Sequence, residues 1–168
     1  MTEVNKLTEL ESLFKQLNLN AIKYQHPPLN TCQDADELNL NRAGERIKNL
    51  FLRDNYGKRH FLLLVPADYQ VDLKALSKQQ QLSRLGFASS QRLAKYLGVK
   101  PGCVSALAVF NDTEQVVTVW VESSLWQAEQ FQCHPFINDQ TWVLNKADLE
   151  RFFEYTSHAP QVIDVPCL

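Results

Sequence analysis

Three short segments carry residues able to do chemistry. The first is Ile47-Lys48-Asn49-Leu50-Phe51-Leu52-Arg53-Asp54. As a strand it places Lys48, Leu50 and Leu52 on one face and Ile47, Asn49 and Phe51 on the other. Both faces are largely apolar, the mark of an interior strand. A lysine at its beginning either snorkels to solvent or projects into a pocket mouth. No acid shares its face, so a phosphate or a polarised carbonyl brought by a ligand is a candidate partner. The second segment, Gly98-Val99-Lys100-Pro101-Gly102-Cys103-Val104-Ser105-Ala106, is a glycine-containing loop entering a β-prone run. Backbone amides there can face a ligand because Gly102 adds no side chain, or the loop is an ordinary helix-to-strand connection. The third, Phe131-Gln132-Cys133-His134-Pro135-Phe136, fixes the backbone beside a histidine that either binds a substrate ammonium or hydroxyl or is structural.

Cysteine and histidine chemistry beyond this is sparse. Cys32, Cys103, Cys133 and Cys167 form no CxxC pair and read as reduced structural thiols. Cys133 and His134 are adjacent, and adjacent strand residues point to opposite faces, which suits neither a nucleophile–base pair nor a ligand pair. The histidines at 26, 60, 134 and 158 give no HxxxH or HxH pattern, so neither a metal nor a cofactor is expected.

Charge is uneven although the formal net is −2. Residues 73–111 hold six cations (Lys74, Lys78, Arg84, Arg92, Lys95, Lys100) and no acid, whereas 112–168 hold nine acids against Lys146 and Arg151. The basic middle either contacts a local polyanion or solvates surface helices; general coating of nucleic acid is excluded.

These segments must be positioned by one domain, the natural size for 168 residues with 45% hydrophobic content. Leu7, Leu10, Leu13, Phe14 and Leu17 recur at helical spacing and predict an amphipathic opening helix. A β-prone stretch at 21–26 is stopped by Pro27-Pro28, and Thr31 caps a short helix to about residue 40. Residues 47–53 and 59–65 predict a hairpin around Asp54-Asn55-Tyr56-Gly57-Lys58. Helices follow at 73–82 and from Ser89 or Ser90 to Gly98, with a short strand at 85–88. Strands are expected at 104–110, 116–121 and 141–144, then an Asn145-capped helix. The last β-prone run, 162–165, pairs on a sheet edge or stays a terminal arm. No apolar run reaches the roughly 18–20 residues of a membrane span, and the polar start MTEVNKLTEL lacks a leader pattern, so a cytoplasmic protein is expected.

Taken together, His26-Pro27-Pro28 with Thr31, the Lys48-to-Asp54 segment, Leu97 through Ser105, Asn111-Asp112 and His134-Pro135 resemble, in order and spacing, the YbaK/prolyl-tRNA-synthetase-associated domain family. The likeness is to its freestanding ProX/PrdX type, similar to the editing domain of bacterial prolyl-tRNA synthetases. It runs from about His26 to Phe153, with KNLFLRD its most specific part. The resemblance implies an α/β fold of α+β type, a mixed, mostly antiparallel curved sheet flanked by helices. With the opening helix and the terminal run, the single domain is expected to divide into an N-terminal helix at 2–18, a family core at about 21–155 and a C-terminal arm at 156–168.

The activity implied is trans-editing: hydrolysis of the ester joining alanine to the terminal adenosine of proline tRNA, assisted by the vicinal ribose hydroxyl. Carried onto matching positions, it makes Lys48 and Gly102 catalytic and His26, Thr31, Asn49, Cys103, Ser105, Ala106 and His134 substrate-binding. Arg84, Arg92, Lys95 and Lys100 are the residues expected to hold tRNA. The implied partners are the acceptor end of an aminoacylated tRNA and, transiently, prolyl-tRNA synthetase, with no membrane. Ala106 departs from the family's GxxxP loop, which keeps cysteine, serine or another small residue in play as the amino acid removed. A non-catalytic tRNA- or synthetase-binding module is the alternative of a different class.

Overall fold

The computed structural model describes residues 3–28 and 43–168. Helix α1 (Glu3–Gln16) opens the chain, followed by β1 (Ala21–Gln25). The hairpin of β2 (Glu45–Arg53) and β3 (His60–Pro66) pairs antiparallel from Ile47↔Pro66 to Arg53↔His60. Its turn is held by Asp54, whose carboxylate accepts the N–H groups of Lys58 at 2.8 Å and Arg59 at 3.1 Å. Helix α2 (Leu73–Gln79) is N-capped by Asp72, β4 (Gly86–Phe87) pairs with the end of β2, and Ser89 caps α3 (Ser90–Arg92). A π-helical turn (Leu93–Leu97) continues α3 and ends at Gly98 with φ 64°. After a 3₁₀ turn (Ala106–Asn111) come β5 (Val117–Glu122), β6 (Gln130–Cys133), β7 (Gln140–Asn145), α4 (Lys146–Thr156) and β8 (Gln161–Ile163).

The strands form one eight-stranded sheet in the order β1-β7-β6-β2-β3-β5-β8, with β4 beside β2. Pairs β1/β7, β6/β7, β2/β3 and β2/β4 are antiparallel. Pairs β2/β6, β3/β5 and β5/β8 are parallel. The mixed, mostly antiparallel sheet expected from the sequence is therefore present, and the terminal run is settled as an edge strand on β5.

Strand alternation divides the core in two. On one face Ile47, Phe51, Leu62, Leu64, Val119, Phe131 and Trp142 pack with Leu10 and Phe14 of α1, Leu97, Leu107 and Phe152 and Phe153 of α4. On the other, Leu52, Phe61, Leu63, Val65 and Trp120 pack with Leu76 of α2, Leu85 and Val165. β2 and β3 feed both clusters, which is why Leu50 to Leu52 and Phe61 to Val65 are apolar without alternation.

The strand expected at 104–110 is a 3₁₀ turn instead. The Ser105 hydroxyl accepts the Leu107 N–H at 3.2 Å, and all of Ala106, Leu107, Ala108 and Val109 are buried. An apolar run has no periodicity to separate buried turn from strand, and the cap decides it. The short helix expected after Thr31 lies outside the described residues.

Candidate active site

Register places the site residues before any contact is considered. The parallel pairs Glu45↔Phe131 and Arg46↔Gln132 put Phe131 on the main-core face with Ile47, and Gln132 on the face of Arg46 and Lys48. Across β6/β7 and β7/β1, Gln132↔Val143 and Tyr24↔Thr141 carry that second face onward. Lys48 therefore shares a sheet face with Thr141, near the point where β2 and β6 part. The Lys48 ammonium donates to the Tyr69 carbonyl in the loop after β3. An ammonium has three donors, and that bond uses one.

Two histidines meet at the ends of β1 and β6. His26 bonds through Nε2 to Thr141 Oγ1 at 2.8 Å and through Nδ1 to the Pro27 carbonyl at 2.8 Å. His134 Nδ1 lies 3.1 Å from the Gln140 carbonyl. A carbonyl accepts, so Nδ1 of each ring donates, and Nε2 of a neutral His134 is left as an acceptor. Burial holds the His134 imidazole below its ordinary pKa, partly offset by the Gln140 carbonyl and reinforced by nearby His26. Burial thus favours the neutral form of the His134 imidazole.

The glycine loop is a type II turn. Cys103 N–H donates to the Lys100 carbonyl at 3.0 Å, with Pro101 and then Gly102, at φ 88°, in the central positions. The Cys103 amide is consumed by the turn. A cleft of about 360 Å³ is bounded by this turn (Lys100, Pro101, Cys103) and by Ile137, Asn138 and Asp139. His26 N–H donates to the Asp139 carbonyl at 3.0 Å, tying the first histidine to the cleft wall. Ser105 joins the two loops, because its hydroxyl also accepts the His134 N–H at 3.2 Å.

Other expected residues lie elsewhere. Asn49 is on the opposite strand face from Lys48; its Nδ2 donates to the Ile47 carbonyl at 3.3 Å and its buried Oδ1 has no partner among the described residues. Ala106 is fully buried in the main core rather than lining the cleft. Thr31 lies outside the described residues. Arg84 and Lys95 are exposed, and Lys100 is an exposed cleft wall. Arg92 is half-buried and committed: its Nη1 donates to the Gly57 carbonyl and to His60 Nε2, each at 2.9 Å.

Thr141 and the Tyr69 carbonyl escape sequence reasoning. Thr141 begins an expected strand with nothing to mark it, and a backbone carbonyl has no side-chain signature. Two of the candidate nucleophiles, Cys133 and Ser105, are not primed. Burial pushes the Cys133 thiol up to about 12 on the core face, and the Ser105 hydroxyl is fully buried and occupied by two N–H donors.

Comparison with known proteins gives these residues a setting. A family model described as the aminoacyl-tRNA editing domain matches residues 26–152. The prolyl-tRNA editing protein ProX of Acetoanaerobium sticklandii is 32% identical over 150 residues, covering 89% of this chain and 92% of that protein. The prolyl-tRNA synthetase associated domain-containing protein 1 of Danio rerio is 35% identical over 157 residues, covering 92% and 85%. The crystal structure of hypothetical protein APE2540 shares the fold, with TM-score 0.71 at 17% identity over 93% of this chain and 97% of that one. The chain belongs to the aminoacyl-tRNA editing domain family, and its enzymatic class is that of an aminoacyl-tRNA deacylase.

Proposed function

We propose that this deacylase works in trans on mischarged proline tRNA, removing alanine at the face shared by Lys48, His134 and Thr141. The observation that supports the reading is His134, held neutral by burial beside His26 and its Thr141 partner, with Lys48 on the same sheet face by the β2/β6 register. Such a set suits attack by water. The water oxygen adds to the ester carbonyl carbon and the bond to the ribose oxygen breaks. Free alanine leaves, and the proton passes to the departing ribose oxygen with the vicinal hydroxyl assisting.

In this reading the Gly102 N–H and the two remaining Lys48 donors stabilise the developing oxyanion. His134 Nε2 accepts from the attacking water or the substrate ammonium, and the His26–Thr141 pair fixes the cleft wall against which the amino acid sits. Removal of alanine answers a physical problem: a pocket shaped for proline admits a smaller residue, and missing methylenes discriminate by only ~1–3 kcal/mol. The named relatives ProX and the Danio rerio protein support proline tRNA as the carrier. The acceptor end is the part bound here, with transient contact to prolyl-tRNA synthetase and a cytoplasmic site of action.

A panel of proline tRNAs charged with Ala, Cys, Ser and Pro tests the reading. Wild-type protein is expected to hydrolyse the alanyl ester fastest and spare the prolyl ester. Preference for the cysteinyl or seryl ester would reassign the amino acid, and binding without ester loss would leave a recognition module.

A further inference from the structure

At the far end of β2, away from Lys48, the surface is basic and aromatic in a way the reaction does not require. Tyr56 at the hairpin tip is 73% exposed and Phe87 of β4 is 62% exposed. Around them stand Lys58, Arg59 and Arg84, all exposed, and the half-buried Arg53. The tip is braced as one surface. Asn55 N–H donates to Ser83 Oγ at 3.0 Å, Leu52 pairs with Phe87 and Arg53 with Gly86, and Arg92 clamps the Gly57 carbonyl.

The tip's own acid, Asp54, offsets only one of the four cations Arg53, Lys58, Arg59 and Arg84. Asp54 is buried, and its carboxylate is spent on the Lys58 and Arg59 N–H groups. Among the described residues Lys58 and Arg84 make no ion pair with a carboxylate. Two exposed rings beside the exposed cations Lys58 and Arg84 do nothing for the core; they match the pairing of stacking platforms with phosphate contacts that holds RNA.

We infer that the β2–β3 tip together with β4 is a second RNA-binding surface that grips the substrate tRNA away from its reacting end. Arg53 lies five residues along β2 from Lys48, about 17 Å at ~3.3 Å per residue. An RNA with its 3′ ester at Lys48 reaches the tip only through nucleotides beyond the immediate terminus. The occupant is therefore the body of the same tRNA, and the surface supplies affinity while the Lys48 face supplies chemistry. Arg92 is a positioning residue in this scheme, holding the tip against α3 rather than meeting phosphate.

The inference rests on the deacylase reading, and two substrates separate the two: full-length alanyl-tRNA(Pro) and an alanylated CCA trinucleotide. Lys58→Glu/Arg84→Glu and Tyr56→Ala/Phe87→Ala proteins are compared with wild type on both, across a salt series. On full-length tRNA the charge-reversed protein is expected to raise KM at least tenfold with kcat held. Its log–log salt slope should be shallower by about 0.7–0.9 per lost phosphate contact. The aromatic pair should raise KM several-fold with little change in slope. On the trinucleotide both variants should match wild type. Equal losses on both substrates, or no loss on full-length tRNA, would overturn the second surface while leaving the deacylase intact. Hydrolysis of neither substrate by wild type would instead remove the deacylase reading and the inference built on it.

Discussion

Ser105→Ala removes one oxygen and releases two loops. The Ser105 hydroxyl is fully buried and accepts from Leu107 N–H and His134 N–H, both at 3.2 Å. Alanine leaves both donors without that acceptor. A buried unsatisfied donor costs about 1–3 kcal/mol, and loss of a helix cap typically about 1 kcal/mol. Because both bonds are at the long end of the range, the low values apply, and about 2 kcal/mol of stability should go. For a chain of this size that is a fall in Tm of roughly 4–8 °C. Function should fall further than stability alone explains, since the lost bond to His134 also ties the imidazole loop to the Gly102 turn. Displacement of about 1 Å between catalytic groups costs up to about 100-fold in rate. Urea and thermal melts give the first quantity, and single-turnover deacylation well below the Tm gives the second. A variant within about 0.5 kcal/mol of wild type with an unchanged rate would refute the claim that Ser105 couples the loops.

Other expectations follow from the same geometry. Since His134 is held below the ordinary imidazole pKa of about 6.5, kcat/KM should fall only as pH drops below that value, and His134→Asn should erase this acid limb; a limb centred above pH 6.5 contradicts the assignment. Burial raises the Asp112 carboxyl, but its 2.8 Å bond to His158 and the Val117 and Val116 N–H groups outweigh it and leave the pKa below its ordinary value. A depressed carboxyl stabilises above its unfolded value of about 3.9 and ceases to as pH falls through the folded one, so the urea midpoint should drop below about pH 4 in wild type. Asp112→Asn should lose about 1–3 kcal/mol near neutral pH, since the carboxylate's charge-assisted bonds to the Val116 and Val117 N–H groups and to His158 are weakened; an unchanged stability would show that packing alone holds this corner. Arg92→Gln should cost about 1–2 kcal/mol by freeing Gly57 and His60 yet leave the salt slope of tRNA binding in place, because its guanidinium is already committed.

Legibility in the sequence tracked the locality of the cause. The β2–β3 hairpin was readable to within a residue or two because Asp54 through Lys58 contain their own turn chemistry, and the Ser89 cap and Gly98 stop were equally local. Strand β6 went unread, being four residues of alternating glutamine and apolar side chains with no turn punctuation. The parallel pairs β2/β6, β3/β5 and β5/β8 are set by chain segments too far apart for any local pattern to reveal. Within the site, alternation correctly separated Lys48 from Asn49 and Cys133 from His134. It could not show that Lys48 and His134 lie near one junction, because that depends on the β2/β6 register. Ala106, suspected of shaping the pocket, is core instead, and its difference from the family proline reads as packing within the 3₁₀ turn. Arg92 showed as one cation among six, and its capture by Gly57 and His60 is a tertiary fact.

The central claim is that the Lys48 face performs hydrolysis. Wild-type and Lys48→Ala proteins should be compared under single-turnover conditions on alanyl-tRNA(Pro), with tRNA binding measured alongside. Removing a donor to a developing oxyanion is worth about 10²–10³ in rate, so at least a roughly 100-fold slower release of alanine is expected, with tRNA affinity largely kept by the distant basic surface. Alanine release by the variant at the wild-type rate would contradict the account.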